Sequence, residues 1–206
     1  MPTNWFPRIR RAKQLSVFNK GGTWSAEVKS AISLFNTLGL PVKLVEEKEE
    51  HNANVVVKIA NGPDSVPYLA DKLTTGDDWD PKLLHGLTVN RTEGQRHRGT
   101  MVWEIVFAAI FLPGKVKATQ GQKQTIIVHE FIHACGLDGG LPNGDKARTQ
   151  DHDSEGIMYD IMVTDGNGLI EGSKPSGVAA MPPIRVGGRT LCKLKSIWTD
   201  DERCEE

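Results

Sequence analysis

The sequence predicts an α+β fold, in which a mixed β-sheet is backed by two helices and followed by a smaller, irregular C-terminal lobe with one helix. Three observations predict it. Short apolar segments have the length and composition of strands, while longer segments repeat their apolar residues at helical spacing. Beyond residue 138 the chain becomes rich in glycine and proline and loses this periodicity.

Three segments carry the helical pattern, in which apolar residues recur at spacings of three and four. They span 25–38, 122–135 and 186–198. Gly39 supplies a stop for the first helix, and Gly136 closes the second. Glycine is suited to both positions because it readily adopts the left-handed backbone conformation at a helix C-terminus.

Five segments have the short length and apolar content of β-strands. They span 15–18, 42–45, 54–59, 87–90 and 101–112. A polar stretch that contains Pro63, Pro67, Gly76 and Pro81 separates the third from the fourth and is predicted to be a loop. The order is therefore β, α, β, β, β, β, α, then a loop-rich tail with one helix, which predicts a sheet with helices packed on it.

Length and charge narrow the class of protein further. A chain of 206 residues can bury one sizeable core, or two small lobes around a cleft. We expect a single domain over 1–206, with an upper part over 1–138 and a lower part over 139–206. The formal net charge of −1 gives no general attraction for nucleic acid or an acidic membrane surface. Short basic clusters are predicted to lie in solvated loops: Arg8, Arg10 and Arg11, then Arg91, Arg96, His97 and Arg98.

Neither a membrane span nor a signal peptide is visible in the sequence. The longest apolar run, 105–112, has eight residues and is too short to cross a bilayer. No apolar stretch follows Met1. Three cysteines are too few for a disulfide framework, although Cys192 and Cys204 could pair and leave Cys135 free.

The second predicted helix carries three titratable side chains in the sequence HEFIH, residues 129–133. His129 and His133 are four residues apart and project from one helical face, where two imidazoles can bind one tetrahedral zinc ion. Glu130 can reach a water on that ion, take its proton as a general base and return it to a leaving amine as a general acid. The spacing therefore predicts a catalytic zinc site.

Two other interpretations of the HEFIH segment stay open. The histidines can be buried side chains that bond to backbone or carboxylate groups in an interaction protein. The chain can also be a non-catalytic zinc-binding module, although the intact Glu130 argues against this. Polar side chains on an otherwise apolar helix need a partner because their unpaired burial is costly, and a metal ion would supply one.

The segment HEFIHACGLDGG, residues 129–140, resembles the zinc-binding helix of the metzincin clan of endopeptidases, and that of the matrixins most closely. The pattern of the clan is HExxHxxGxxH, followed by a methionine in a tight turn. The match departs at Gly139, which stands where the clan has its third histidine. The matching residues are His129, Glu130, His133 and the turn glycine Gly136.

An insertion accounts for this departure. Residues 139–151 have the composition of a polar surface loop, and closure entropy grows only slowly with loop length. Without them the chain reads HEFIHACGLD followed by HDSEGIMYD, so His152 falls at the third ligand position and Met158 falls in the Met-turn. The resemblance thus implies that His129, His133 and His152 bind Zn²⁺ and leave the fourth position for water.

Other third ligands stay open. Asp138, Asp151 and Asp153 lie close to the same position in the sequence. In a gluzincin-type peptidase the third ligand is a carboxylate on a later helix, for which Glu171 is the candidate, although it lies in a glycine-rich stretch. Ca²⁺ could also bind in two aspartate-containing turns, for which ordinary turns are the alternative. These turns span 77–80 and 165–168.

The resemblance implies a metzincin-like catalytic domain, with a twisted mixed sheet and the active-site helix at a cleft. It implies a zinc-dependent endopeptidase whose protein or peptide substrate lies extended and pairs with an edge strand of the sheet. That edge would come from one of the two strands predicted between residues 86 and 112. We also expect a monomer, and the resemblance favours a secreted, extracellular location.

Overall fold

A computed structural model describes residues 3–82, 86–97, 99–137, 186 and 188–199. These residues form a mixed α+β fold, in which helices pack on a five-stranded sheet. The predicted fold class and the mixed character of the sheet are therefore confirmed. The division into an upper and a lower part stays a prediction, since most of 139–206 lies outside the described residues.

The helices are α1 (Pro7–Ala12), α2 (Ser25–Phe35), α3 (Gln120–Ala134) and α4 (Gly188–Trp198), with short 3₁₀ turns at Gly22–Trp24 and Glu50–Asn52. In the part of the chain that the structure describes, no helix is long and apolar enough to span a membrane. The strands are β1 (Gln14–Lys20), β2 (Lys43–Glu47), β3 (Val55–Ala60), β4 (Ser65–Tyr68), β5 (Asp71–Thr74), β6 (Leu87–His97) and β7 (Thr100–Pro113).

The main sheet has the strand order β2-β1-β3-β7-β6. Its first four strands run parallel to one another, whereas β6 pairs antiparallel with β7 and forms one edge. Strands β4 and β5 form a separate antiparallel hairpin. Of the two strands predicted between residues 86 and 112, β6 is thus the edge strand, and β7 lies inside the sheet between β3 and β6.

Hydrophobic cores form on both faces of the sheet. Helices α2 and α3 cover one face, called the helix side here, and side chains of α4 join the same core. Neighbouring residues of β3 illustrate the division, since Val55 and Val57 pack on the helix side and Val56 packs on the opposite face. The hairpin β4–β5 and Trp79 cover that opposite face.

A β-bulge in β7 changes which of its side chains point toward the helix side. Arg91 of β6 pairs with Phe107, but the next residue, Thr92, pairs with Ile105, so Val106 is the extra residue. Phe107 packs in the core opposite the helices, whereas Ile105 packs in the core on the helix side. The alternation of side chains between the two faces is therefore shifted by one residue in the part of β7 before the bulge, relative to the part after it.

Two elements lie where the sequence predicts loops. The basic cluster at residues 8–11 belongs to helix α1, which begins with Pro7, a residue preorganised for a first helical turn. The polar stretch around Pro67 forms the hairpin β4–β5, because Val66 and Leu73 bury their side chains against the main sheet.

Strand β6 is also longer than the sequence predicts. It continues past Asn90 to His97 as a two-stranded ribbon with β7, well beyond the residues of β7 that pair with β3. Arg91, Arg96 and His97 therefore lie in a strand and not in a solvated loop, and Arg98 lies outside the described residues. None of the residues from Arg91 to Arg96 is buried, and their sequence has no apolar pattern that would predict a strand.

The described cysteines differ in their chemical state. Cys135, directly after α3, is a free thiol, and its complete burial raises its pKa. Cys192 of α4 is disulfide-bonded. Both states agree with the pairing considered from the sequence, although Cys204 lies outside the described residues.

Candidate metal centre

Helix α3 begins and ends at clear structural signals. Thr119 accepts a hydrogen bond from the backbone N–H of Gln122, whose side chain accepts one from the backbone N–H of Thr119, which forms a capping box. At the other end, Gly136 has a φ of +106°, and a Cβ there would collide with the carbonyl oxygen of Thr3. Residues 125–134 between these ends are all buried. The packing thus fixes the helix on every side.

The two histidines of α3 direct the same ring nitrogen toward a common point. Their Nε2 atoms lie 3.2 Å apart, and the planes of the rings are nearly perpendicular, at 81°. Two nitrogens bound to one tetrahedral zinc ion at about 2.0–2.1 Å lie roughly 3.3–3.4 Å apart, so the observed spacing fits a shared ion. His129 and His133 therefore fit two positions of one zinc site.

A backbone carbonyl fixes the tautomer of the second histidine. The Nδ1 atom of His133 lies 2.8 Å from the carbonyl oxygen of Leu137, just past the helix end. A carbonyl oxygen can only accept, so Nδ1 carries the proton and donates it. The Nε2 atom then carries a lone pair, which can accept a hydrogen bond from Nε2 of His129 or bind a metal ion, and an outer partner on Nδ1 is usual for a metal-bound histidine.

Glu130 points away from solvent toward the edge strand. The residue is 2% exposed, and its Oε2 atom accepts a hydrogen bond of 2.7 Å from the hydroxyl of Thr88 in β6. The other oxygen, Oε1, lies 4.0 Å from Nε2 of His129. Gly86 leaves room for this carboxylate, because a Cβ at that position would lie 2.5 Å from the Cγ atom of Glu130. One carboxylate oxygen is thus held by the sheet, and the other faces the histidines.

Donors from distant parts of the chain hold the end of α3. The indole N–H of Trp5 donates to the carbonyl of Ala134 at 2.8 Å, and the indole N–H of Trp198 donates to the carbonyl of Cys135 at 2.9 Å. The backbone N–H of Thr3 donates to the carbonyl of Gly136 at 2.8 Å. These bonds satisfy carbonyl groups that a helix end leaves without partners inside the helix. The N-terminal segment and α4 therefore fix the turn that follows His133.

Replacing Trp198 with phenylalanine is expected to lower the free energy of unfolding by about 1–3 kcal/mol, because the buried carbonyl of Cys135 loses its donor. Urea unfolding of both chains measures the difference. Trp103→Phe is the matched control, since Trp103 is largely exposed on β7 and should change the stability little. Equal losses of stability in the two variants would contradict this role of Trp198.

The structure brings together the predicted residues of α3. His129, Glu130 and His133 form one buried group, and Gly136 makes the turn directly after them. Within the described ranges, no group of three or more histidine, cysteine or carboxylate side chains is placed to hold a metal ion. The predicted third ligand, the Met-turn residue and the alternative ligands lie outside those ranges: His152, Met158, Asp138, Asp151, Asp153 and Glu171.

The turns considered for Ca²⁺ are described only in part. In the turn at 77–80, Trp79 is buried, and its indole N–H donates to the carbonyl of Ala60 at 3.2 Å. This tryptophan anchors the turn to the opposite face of the sheet. The turn at 165–168 lies outside the described residues.

Sequence reasoning missed the residues that orient the helix from other elements. Thr88 and Asn90 of β6 contact it: Thr88 bonds to Glu130, and the side-chain amide of Asn90 donates to the carbonyl of His133 at 3.3 Å. Trp5 and Trp198 hold its end. Single threonine, asparagine or tryptophan residues carry no local signal for these contacts, because only the register of the sheet and the packing of the termini create them.

Comparison of the chain with protein-family models and with curated proteins finds no match. The resemblance to the metzincin clan therefore rests on the motif of α3 and the residues that follow it.

Proposed function

We propose that the protein is a zinc-dependent endopeptidase of metzincin type, which hydrolyses peptide bonds in extended polypeptide substrates. One observation carries the proposal. The Nε2 atoms of His129 and His133 lie 3.2 Å apart on a buried helix, with the Glu130 carboxylate beside them and held by Thr88. The arrangement supports metal-assisted hydrolysis, because that reaction requires a base next to the metal and Glu130 lies beside the position that the two histidines could share.

Two histidines of α3 would hold the metal, and His152 is the proposed third ligand. Zinc fits this donor set because imidazole nitrogens are among its preferred ligands. When bound, zinc would supply a Lewis acid that lowers the pKa of a bound water and polarises the scissile carbonyl group. The hydrogen bond from His133 Nδ1 to the Leu137 carbonyl orients the imidazole ring for this role.

Glu130 is the proposed general base and general acid. Its Oε2 atom is occupied by the Thr88 hydroxyl, so Oε1, on the side of the histidines, is the oxygen that takes the proton of the attacking water. The same oxygen then delivers the proton to the nitrogen of the leaving amine. Burial of the carboxylate keeps bulk water away from this proton transfer.

The edge strand β6 is the proposed docking site for the substrate backbone. It carries Thr88 and Asn90, both of which contact α3, so the edge of the sheet runs directly beside the catalytic helix. No strand of the described residues pairs with the outer edge of β6. An extended peptide can add there as a further strand, with backbone hydrogen bonds for affinity and side-chain pockets for preference.

Replacing Thr88 with valine is expected to lower kcat about tenfold while zinc binding is retained. Valine has a similar volume but no hydroxyl, so Oε2 of Glu130 loses its donor and the carboxylate is no longer held in one orientation. Steady-state kinetics and the zinc content of the purified variant check this. Thr88→Ser keeps the hydroxyl and should retain most of kcat. A loss of equal size in the serine variant would contradict a positioning role of the hydroxyl.

Cleavage of an unfolded protein tests the proposed function. We expect the purified chain to bind one zinc ion and to degrade the unfolded protein. A chelator should stop cleavage, and added zinc should restore it. Zinc binding without cleavage would favour a non-catalytic module, and absence of zinc would favour a structural histidine pair.

Disulfide-bonded Cys192 supports an oxidising, extracellular site of action, and we propose a monomer as the active form.

A further inference from the structure

We propose that Trp103, together with Met101, forms an apolar subsite for a large apolar side chain of an extended polypeptide substrate, about six residues from the scissile bond. The inference rests on the proposed function and adds a specificity site to it. It concerns the two-stranded ribbon in which β6 and β7 pair beyond the residues of β7 that pair with β3.

Trp103 differs from the other tryptophans by its exposure. The other tryptophans are all buried: Trp5, Trp24, Trp79 and Trp198. Trp103 is 61% exposed, and its neighbour on the same face of β7, Met101, is 53% exposed. Exposed aromatic and methionine side chains are enriched at binding surfaces, because they bury much apolar area against a partner.

The bulge in β7 places Trp103 and Met101 on the helix side of the sheet, where α3 packs. Ile105, immediately before the bulge, packs in the core on the helix side. Alternation along the strand then puts Trp103 and Met101 on that same side. Without the extra residue Val106, these two side chains would point to the opposite face.

A continuous track of short, uncharged residues on β6 links the Glu130 carboxylate to Trp103. Thr88 contacts that carboxylate, and alternation places the next residues of the track on the same side of the sheet. The track consists of Thr88, Asn90, Thr92 and Gly94. Gly94 pairs with Trp103. From Thr88 to Gly94 the strand spans about 20 Å, at roughly 3.3 Å per residue.

Gly94 allows the indole to reach the edge of the sheet. A Cβ at position 94 would lie 3.7 Å from Cη2, at the far end of the Trp103 indole, and 2.9 Å from Sδ of Met101. The indole therefore lies across Gly94, toward the outer edge of β6. A polypeptide strand added to that edge would bring one of its side chains against the indole ring.

An extended polypeptide is the proposed occupant of the subsite, because Trp103 and Met101 lie next to the outer edge of β6. The edge supplies backbone hydrogen-bonding groups along its length, and the indole supplies one apolar contact at its end. Two exposed side chains are a small area compared with the roughly 800 Å² that each partner buries in a stable dimer. A second copy of the chain is therefore the weaker alternative.

Kinetics with peptides of two lengths test the subsite. Both peptides share one cleavage sequence. Each long peptide extends eight residues on each side of the scissile bond. Each carries one leucine or tryptophan, which is placed at a different position in each peptide, from the fourth to the eighth residue from that bond. The quantity compared is the ratio of kcat/KM, long peptide over short peptide. We expect this ratio to be highest when the apolar residue lies about six residues from the scissile bond. Trp103→Ala should lower this ratio about tenfold, whereas Trp103→Phe should retain most of it. Leu69→Ala, at another exposed side chain, is the matched control and should leave the ratio unchanged.

Binding to the Glu130→Gln variant separates the inference from the proposed function. Calorimetry should show that the intact long peptide binds the double variant Glu130→Gln, Trp103→Ala about tenfold more weakly than it binds Glu130→Gln alone. If zinc-loaded protein cleaves short peptides but Trp103→Ala leaves the ratio and the binding unchanged, the subsite is wrong and the proposed function stands. If nothing is cleaved but binding depends on Trp103, the catalytic proposal fails and the peptide-binding surface stands. A dimer in solution that Trp103→Ala converts to monomers would overturn the subsite in favour of self-association.

Discussion

Replacing Glu130 with glutamine is expected to lower kcat by about 10²–10⁴-fold while the zinc content stays at the level of the parent protein. Glutamine has nearly the same shape, and its amide can still meet the Thr88 hydroxyl. It cannot accept a proton from water at neutral pH, so the step that generates the nucleophile is lost. Zinc binding is retained because the proposed ligands are histidines.

Steady-state kinetics and metal analysis of the same preparation measure this effect. Glu46→Gln is a matched control, because Glu46 lies on β2 and pairs with Lys29 of α2 at 3.7 Å, far along the sheet from α3. We expect it to keep both kcat and zinc content. A Glu130→Gln variant that cleaves peptides at the parent rate would remove Glu130 from the mechanism.

Replacing His152 with alanine is expected to weaken zinc binding by at least about 100-fold, since it removes a proposed direct ligand. Competition with a chromogenic chelator measures the affinity. His51→Ala is the control, because the His51 side chain is exposed in a 3₁₀ turn and pairs only with the nearby Glu49 among the described contacts. It should bind zinc as the parent protein does.

Carboxylate variants discriminate between His152 and the alternative third ligands. If zinc affinity is unchanged in His152→Ala but falls in Asp138→Ala, the ligand lies before the insertion. If the zinc affinity falls only in Glu171→Ala, the third ligand is Glu171 and the metal site is of the gluzincin type. Either result would contradict the assignment of His152, while the pair formed by His129 and His133 would stand.

The elements that position the candidate site could be predicted from local patterns. Helix α3 has a long apolar segment and a terminal glycine, both visible in the sequence, whereas its capping box at Thr119 starts the helix two residues before the predicted residue 122. The sheet strands β1, β2 and β3 follow short apolar runs. Local propensity and burial agree in these elements, so the pattern is sufficient.

The rest depends on contacts between residues far apart in the sequence. The bond from Thr88 to Glu130 joins residues 42 positions apart, and the bond from Trp5 to Ala134 joins residues 129 positions apart. The bulge at Val106 is visible only in the pairing of β6 with β7. None of these features has a periodic signature, yet they orient the carboxylate, hold the helix end and set the direction of Trp103.

The proposed mechanism requires that His129 and His133 bind one zinc ion together. X-ray absorption at the zinc edge of the zinc-loaded chain reports the ligands of that ion. We expect a first shell of nitrogen and oxygen at about 2.0–2.1 Å, with the multiple scattering of imidazole rings, and loss of one imidazole in either His129→Ala or His133→Ala. A first shell that contains sulfur at about 2.3 Å, or a spectrum that neither substitution changes, would contradict shared binding by the two histidines.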